Sequence, residues 1–357
     1  MPTTPKTVNL ALQGGGAHGA FTWGVLDRLL DDERISFEGI CATSAGAMNA
    51  AVMAYGLTIG GREGAKRLLA DYWRRVSDAA RWGPFQPSLF DRFMQRHSIE
   101  QSPAYIFFDM MTRLLSPYQF NPFNYNPLRD LLEKTIDFER LRKENVVKLF
   151  LCATNVRTGK VKVFENHELT PSAVLASGCL PLLFQAIEID DEAYWDGGYM
   201  GNPAIFPLIY GCQSTDVIVI HINPILREEI PRTAGDILNR LNEISFNSSL
   251  MREMRAIAFA NRLAGKWRAA RQRDQDNADS CDRVGIVHER IGRREQVQRG
   301  LGVPDPPARC RPHLRRGLAC REFQPSRRAF DHRHPRPIFV SAVRFCGRAR
   351  DQKSARL

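Results

Sequence analysis

Three short glycine-flanked motifs hold the groups that could do chemistry. The first is Ala42-Thr43-Ser44-Ala45-Gly46. Ser44 stands where an apolar run that reads as a strand meets an Ala-rich run that reads as a helix. A serine on such a turn has its hydroxyl held outward with a helix N-terminus pointing at it, the setting of an acyl-transfer nucleophile. Alone, the same serine reads as the N-cap of the helix that follows. The second motif is Trp195-Asp196-Gly197-Gly198, at the end of a strand. Alone it is a turn; beside a nucleophile, Asp196 is a candidate base. The third is Gly14-Gly15-Gly16-Ala17-His18-Gly19, between a strand and a helix. Its glycines expose consecutive N–H groups that, with the helix N-terminus, make an anion site. No Gly-Lys-Ser/Thr follows, which excludes a Walker phosphate loop. The next strand ends in Thr43-Ser44 rather than in a ribose-binding acid, which disfavours a dinucleotide site. The use left is an oxyanion hole within Gly14, Gly15, Gly16 and Ala17, with the amides of Gly15 and Gly16 as its donors.

The elements around these motifs alternate. Thr7 to Leu12 reads as a buried strand, and Gly19 to Asp31 has apolar residues at helical spacing, Phe21, Val25, Leu26, Leu29 and Leu30. Phe37 to Thr43 reads as a strand and Ala45 to Tyr55 as a buried helix. Lys148 to Val156, Val161 to Glu165 and Val217 to Ile222 read as strands, and Ile187 to Asp196 as a strand broken by the acidic turn Asp190-Asp191-Glu192. Thr233 to about Ala270 is helical. Alternation of this kind predicts an α/β architecture with a largely parallel sheet. All three motifs lie at strand ends, where open α/β sheets collect their sites.

Taken in this order, the Gly-rich loop, the serine elbow and the Asp-Gly-Gly motif resemble the patatin-like phospholipase family. The likeness runs over roughly residues 7–262 and includes Ala176-Ser177-Gly178-Cys179-Leu180-Pro181, similar to the family's segment before its Asp motif. It implies a three-layer α/β/α sandwich and hydrolysis of acyl esters of lipids. It implies Ser44 as nucleophile, Asp196 as its base, and Gly15 and Gly16 as oxyanion donors. Lipid or another acyl ester is then the expected partner, with peripheral contact to a membrane surface. Two positions depart from the pattern. Ala42 replaces the elbow's first Gly, and His18 stands where the family usually has Arg or Lys. They keep open a catalytically inactive lipid-binding or scaffold protein of the same fold.

A Ser–His–Asp triad would need a histidine, and the main domain offers His18, His97, His167 and His221. His221 lies in an apolar strand and reads as a core residue. His97 and His167 read as surface residues. The eight Cys lie scattered without CxxC pairs, so neither a zinc site nor a disulfide framework is expected. The chemistry calls for no cofactor. Met1 to Asn9 does not read as a signal peptide and nothing approaches a membrane span, so a cytoplasmic location is expected.

The net charge of +11 suggests nucleic acid until it is placed along the chain. Residues 1–270 hold 29 basic and 29 acidic residues, so the excess lies wholly in residues 271–357, and no specific nucleic-acid partner is expected. Residues 1–270 read as the hydrolase domain. Within it, residues 82–127 are dense in Phe and Pro and read as a cap-like insertion or as a satellite core. Residues 271–357 are rich in Arg and Pro with no sustained period, an irregular basic tail. They read as a disordered arm, a small accessory domain or a translated wrong frame of a GC-rich gene.

Overall fold

A computed structural model describes residues 4–81, 114–144, 146–292 and 339–344. It divides into one unit of residues 1–261 with 337–357 and a second of residues 262–336. Eight described strands form one mixed sheet in the first unit. They are β1 (Lys6–Leu12), β2 (Ile35–Thr43), β3 (Lys148–Asn155), β4 (Val161–Glu165), β5 (Ile187–Ile189), β6 (Glu192–Asp196), β7 (Asp216–His221) and β8 (Phe339–Arg344). The middle, β3-β2-β1-β7, is parallel, as the βαβ pattern predicts. The antiparallel partners lie outside it: β4 and β6 on β3, β5 on β6, and β8 on β7.

The helices are α1 (Gly19–Leu30), α2 (Ala45–Arg81), α3 (Pro117–Phe120), α4 (Pro127–Thr135), α5 (Phe138–Lys143), α6 (Pro171–Ser177), α7 (Phe206–Gly211) and α8 (Ala234–Gly292). Successive strand residues face opposite layers. Leu10, Leu12, Ile40 and Ala42 bury against one side with Leu26 of α1, Met53 and Leu69 of α2, Leu132 of α4 and Val174 of α6. Ala11, Cys41, Cys152 and Val219 bury against the other with Leu208 of α7 and Leu250 of α8. Helices therefore cover both faces, the expected three-layer sandwich.

Several expected elements change extent. The helix read from Ala45 runs to Arg81, broken at Gly60–Gly61, where Gly61 has φ 58°. The broken strand near residue 190 is the tight hairpin β5–β6, turning on Asp190 and Asp191 at φ 51° and 61°. Paired left-handed residues match the twist of a two-residue hairpin. The helix read to about Ala270, α8, continues to Gly292. Residues 268–292 lack an apolar period but also lack proline, so nothing in them breaks a helix. The tail also supplies a strand, Phe339–Arg344, against β7. Of the Phe-rich segment 82–127, the part before residue 114 lies outside the described residues. Among the described residues, no helix is long and apolar enough to cross a membrane.

Candidate active site

β3 is the platform for the two expected catalytic side chains. Thr43, the last residue of β2, pairs with Cys152, and Asp196, the last residue of β6, pairs with Ala153. The other edge of Cys152 and Ala153 is filled by β4. β2 and β6 therefore share one edge of β3, and β6 takes it over where β2 leaves. That succession sets Ser44 next to Asp196, although the two are far apart in sequence.

Ser44 has φ 55°, a left-handed conformation that L-residues other than Gly and Asn seldom adopt. The tight strand-to-helix turn imposes it. α2 begins at the next residue and aims its N-terminus at the turn. The backbone of Ser44 is held from the side by Ser177, whose Oγ accepts the Ser44 amide at 2.9 Å and donates to Cys152 O at 2.6 Å. Thr43 Oγ1 donates to Gly201 O at 2.6 Å, tying the elbow to the loop after β6. Ala42, the departure from the Gly pattern, is a fully buried strand residue between Leu12 and Leu151, outside the left-handed region. Nothing there requires glycine.

The Asp196 carboxylate is 2% exposed. It accepts the Gly198 amide at 2.7 Å, and the Ser44 side chain lies close enough to pull its pKa down. Burial pushes its pKa up to about 6, against the opposing pull of the Gly198 amide and the Ser44 side chain. A carboxylate with this value is ionised at neutral pH yet more basic than a solvated one. Gly197 passes so near β3 that an added Cβ would lie 2.1 Å from Cys152 O, which requires glycine.

The Gly-rich loop lies over the elbow: a Cβ added at Gly14 would meet Ser44 Cβ at 2.6 Å. Gly15 caps a 3₁₀ turn over Gly16–His18, and Gly16 needs its freedom at φ 57°. The first amides of such a turn have no acceptor within it. The amide of Gly14, a member of the expected oxyanion loop, donates to Asn202 Oδ1 at 2.7 Å, so it braces the loop. His18 is exposed, with Nδ1 3.2 Å from Gly15 O on its own loop.

Sequence reasoning missed the set of amides under this loop. Gln13 is fully buried; its Oε1 accepts the Ile222 and Asn223 amides at 2.7 and 2.8 Å, and its Nε2 donates to Asn247 Oδ1 at 2.9 Å. Asn223 Nδ2 donates to Gly14 O at 3.0 Å, and Asn247 Nδ2 to Asn223 O and Pro224 O. His221 is buried, its Nε2 3.0 Å from Asn247 Oδ1, and burial lowers its pKa. It thus belongs to this bracing set. Its partner oxygen already accepts from Gln13, so Nε2 is the protonated nitrogen. His167 sits in a 3₁₀ turn after β4, and His97 lies outside the described residues. Among the described residues, no group of His, Cys, Asp and Glu is arranged to hold a metal.

A family model described as patatin-like phospholipase matches residues 10–209, more than half of the chain and all three motifs. The chain belongs to the patatin-like phospholipase family. Membership makes a lipid acyl hydrolase the family-level activity. Similar solved structures include VipD from Legionella pneumophila, at 19% identity and TM-score 0.31 over 54% of this chain and 46% of that one. Another is a chain of the heterodimeric ExoU–SpcU complex of the type III secretion system of Pseudomonas aeruginosa, at 20% identity and TM-score 0.25 over 50% and 37%. The match spans less than half of each of those chains. No curated protein matches by sequence.

Proposed function

We propose that this patatin-like protein cleaves acyl esters of lipids through a Ser44–Asp196 dyad and an acyl-enzyme. Asp196 takes the Ser44 proton as Oγ attacks the ester carbonyl, and the developing oxyanion rests on the amides of Gly15 and Gly16. The alcohol leaves with the proton from Asp196. A water, deprotonated by the same carboxylate, then releases the fatty acid and regenerates Ser44. A carboxylate is a weak base for a hydroxyl, so the fixed dipoles carry much of the work; oxyanion donors of this kind contribute about 3–4 kcal/mol. The observation that carries the reading is a left-handed Ser44 at the start of α2, beside the buried Asp196 carboxylate, whose pKa burial raises to about 6.

The test is turnover of a short-chain p-nitrophenyl ester and of phospholipid micelles by the full chain, with Ser44→Ala and Asp196→Asn alongside. Both variants are expected to lose about 10³-fold or more in kcat while remaining folded. Retention of wild-type turnover by either one overturns the dyad. A wild-type protein that binds phospholipid but hydrolyses no ester supports the lipid-binding alternative instead.

A further inference from the structure

β2 and β3 run parallel to their last pair, Thr43 with Cys152. At the next residue the chain must leave the sheet and turn left-handed, and β6 must take the vacated edge beginning at Ala153. A parallel ladder does not end there by itself: a free amide on one strand and a carbonyl on its neighbour tend to close on each other. At this point the hydroxyl of Ser177 stands between them. It accepts the Ser44 amide at 2.9 Å and donates to Cys152 O at 2.6 Å, with Ser177 fully buried. Both backbone groups are satisfied through the hydroxyl, without direct contact between the strands.

We propose that Ser177 is a positioning residue for the nucleophile: its hydroxyl is a wedge that ends the β2–β3 ladder and holds Ser44 in the left-handed conformation that faces Asp196. The inference rests on the reading of Ser44 as nucleophile. Ser177 is suited to the task by its place. It is the last residue of α6, whose residues Ala173 to Ser177 are all buried. The helix starts from a Thr170 cap and Pro171, so its end is fixed against β3. The next residue, Gly178, packs beside the nucleophile, where an added Cβ would lie 3.6 Å from Ser44 Oγ. Among the described residues, no other side chain is bonded to the Ser44 amide. Without the hydroxyl, two buried polar groups either stay unpaired or close directly. Direct closure draws Ser44 toward β3 and away from the carboxylate.

A residue that only stabilises the fold would lower the melting temperature and leave the rate of the folded fraction alone. The wedge predicts a loss in kcat of the folded protein. Ser177→Ala in the full chain is expected to lower kcat on a p-nitrophenyl ester at least tenfold, about 1.4 kcal/mol in barrier, with KM within twofold. Inactivation of Ser44 by a fluorophosphonate should slow by a similar factor. Ser177→Thr, which keeps the hydroxyl, should recover most of the rate. Thr135→Val serves as the control: Thr135 Oγ1 donates to Leu131 O at 2.6 Å within α4, so its loss tests a hidden hydrogen bond elsewhere. It should lose stability but not kcat. If Ser177→Ala does not fold, Ser177→Cys, close in size but a poor hydrogen-bonding group, replaces it with the same expected slowing. A folded Ser177→Ala or Ser177→Cys with kcat within twofold of wild type overturns the wedge, as does an equal fall in Thr135→Val. Ser44→Ala run in parallel separates the two ideas. If it retains turnover, the nucleophile assignment has failed; if it is inactive while Ser177→Ala is fully active, only the wedge has.

Discussion

Replacing Asp196 by Asn should abolish turnover and make the protein more stable, and the gain should depend on pH. Burial raises the Asp196 pKa from 3.8 to about 6. The folded state therefore holds the proton more tightly than the unfolded chain does. The stabilising effect of that proton is complete below about pH 4 and is lost as pH rises through about 6. At pH 8 the ionised carboxylate is present in both states but is penalised only in the folded one. Two pKa units correspond to about 3 kcal/mol. An Asn side chain has the shape of the protonated acid, can still accept the Gly198 amide through its oxygen, and carries no charge to bury. Its amide nitrogen faces the Ser44 oxygen, which must turn its proton elsewhere, so part of the gain is offset. The expected advantage of Asp196→Asn over wild type is about 1–3 kcal/mol at pH 8, shrinking toward zero at pH 4. Urea denaturation of both proteins at pH 4, 6 and 8, with the free energy extrapolated to water, measures it. A stability difference that stays constant across that range would refute the claim that this carboxylate is held ionised against its surroundings.

Two further outcomes follow from the same geometry. Because the base must be ionised, kcat/KM should fall about tenfold per pH unit below an apparent pKa near 6, and a profile flat to pH 5 would exclude Asp196 as the base. Asn247→Leu removes the acceptor shared by Gln13 and His221 and the donor to Asn223 O and Pro224 O, so it should cost about 2–3 kcal/mol in denaturant unfolding, and a cost below about 0.5 kcal/mol would show that the amide network does not brace the loop.

The sequence displayed the candidate residues in local patterns. Ser44 and Asp196 could be picked out because small residues and glycines crowd around them at strand ends, and crowding leaves a mark within five residues. The parallel centre of the sheet was equally plain in the apolar runs of β1, β2, β3 and β7. The antiparallel additions were not, since β6 on β3 and β8 on β7 pair residues whose types carry no direction. The bracing amides were invisible for a related reason. Gln13, Asn202, Asn223 and Asn247 are spread over more than two hundred positions, and each alone reads as a solvated polar residue. Only the hydrogen bonds that gather them beside Gly14 mark them. Gly14 itself shows the limit of motif reading: the pattern places it in the anion-binding loop but does not show that Asn202 holds its amide. Ala42 shows the opposite. Once placed inside a strand with ordinary backbone angles, a departure from the family pattern loses its significance.

If Ser44 and Asp196 act as proposed, the handover of one edge of β3 from β2 to β6 makes their meeting depend on both strands docking on β3. The proposed base sits on a hairpin of only three- and five-residue strands, near the end of the matched region, far along the chain from the Ser44 turn. A slip of one residue in the β6–β3 register would turn the carboxylate to the opposite face of the sheet. On the proposed roles, a chain whose hairpin has not docked carries the serine on its elbow without its base, and in a refolding experiment ester hydrolysis should return only when β6 has docked on β3.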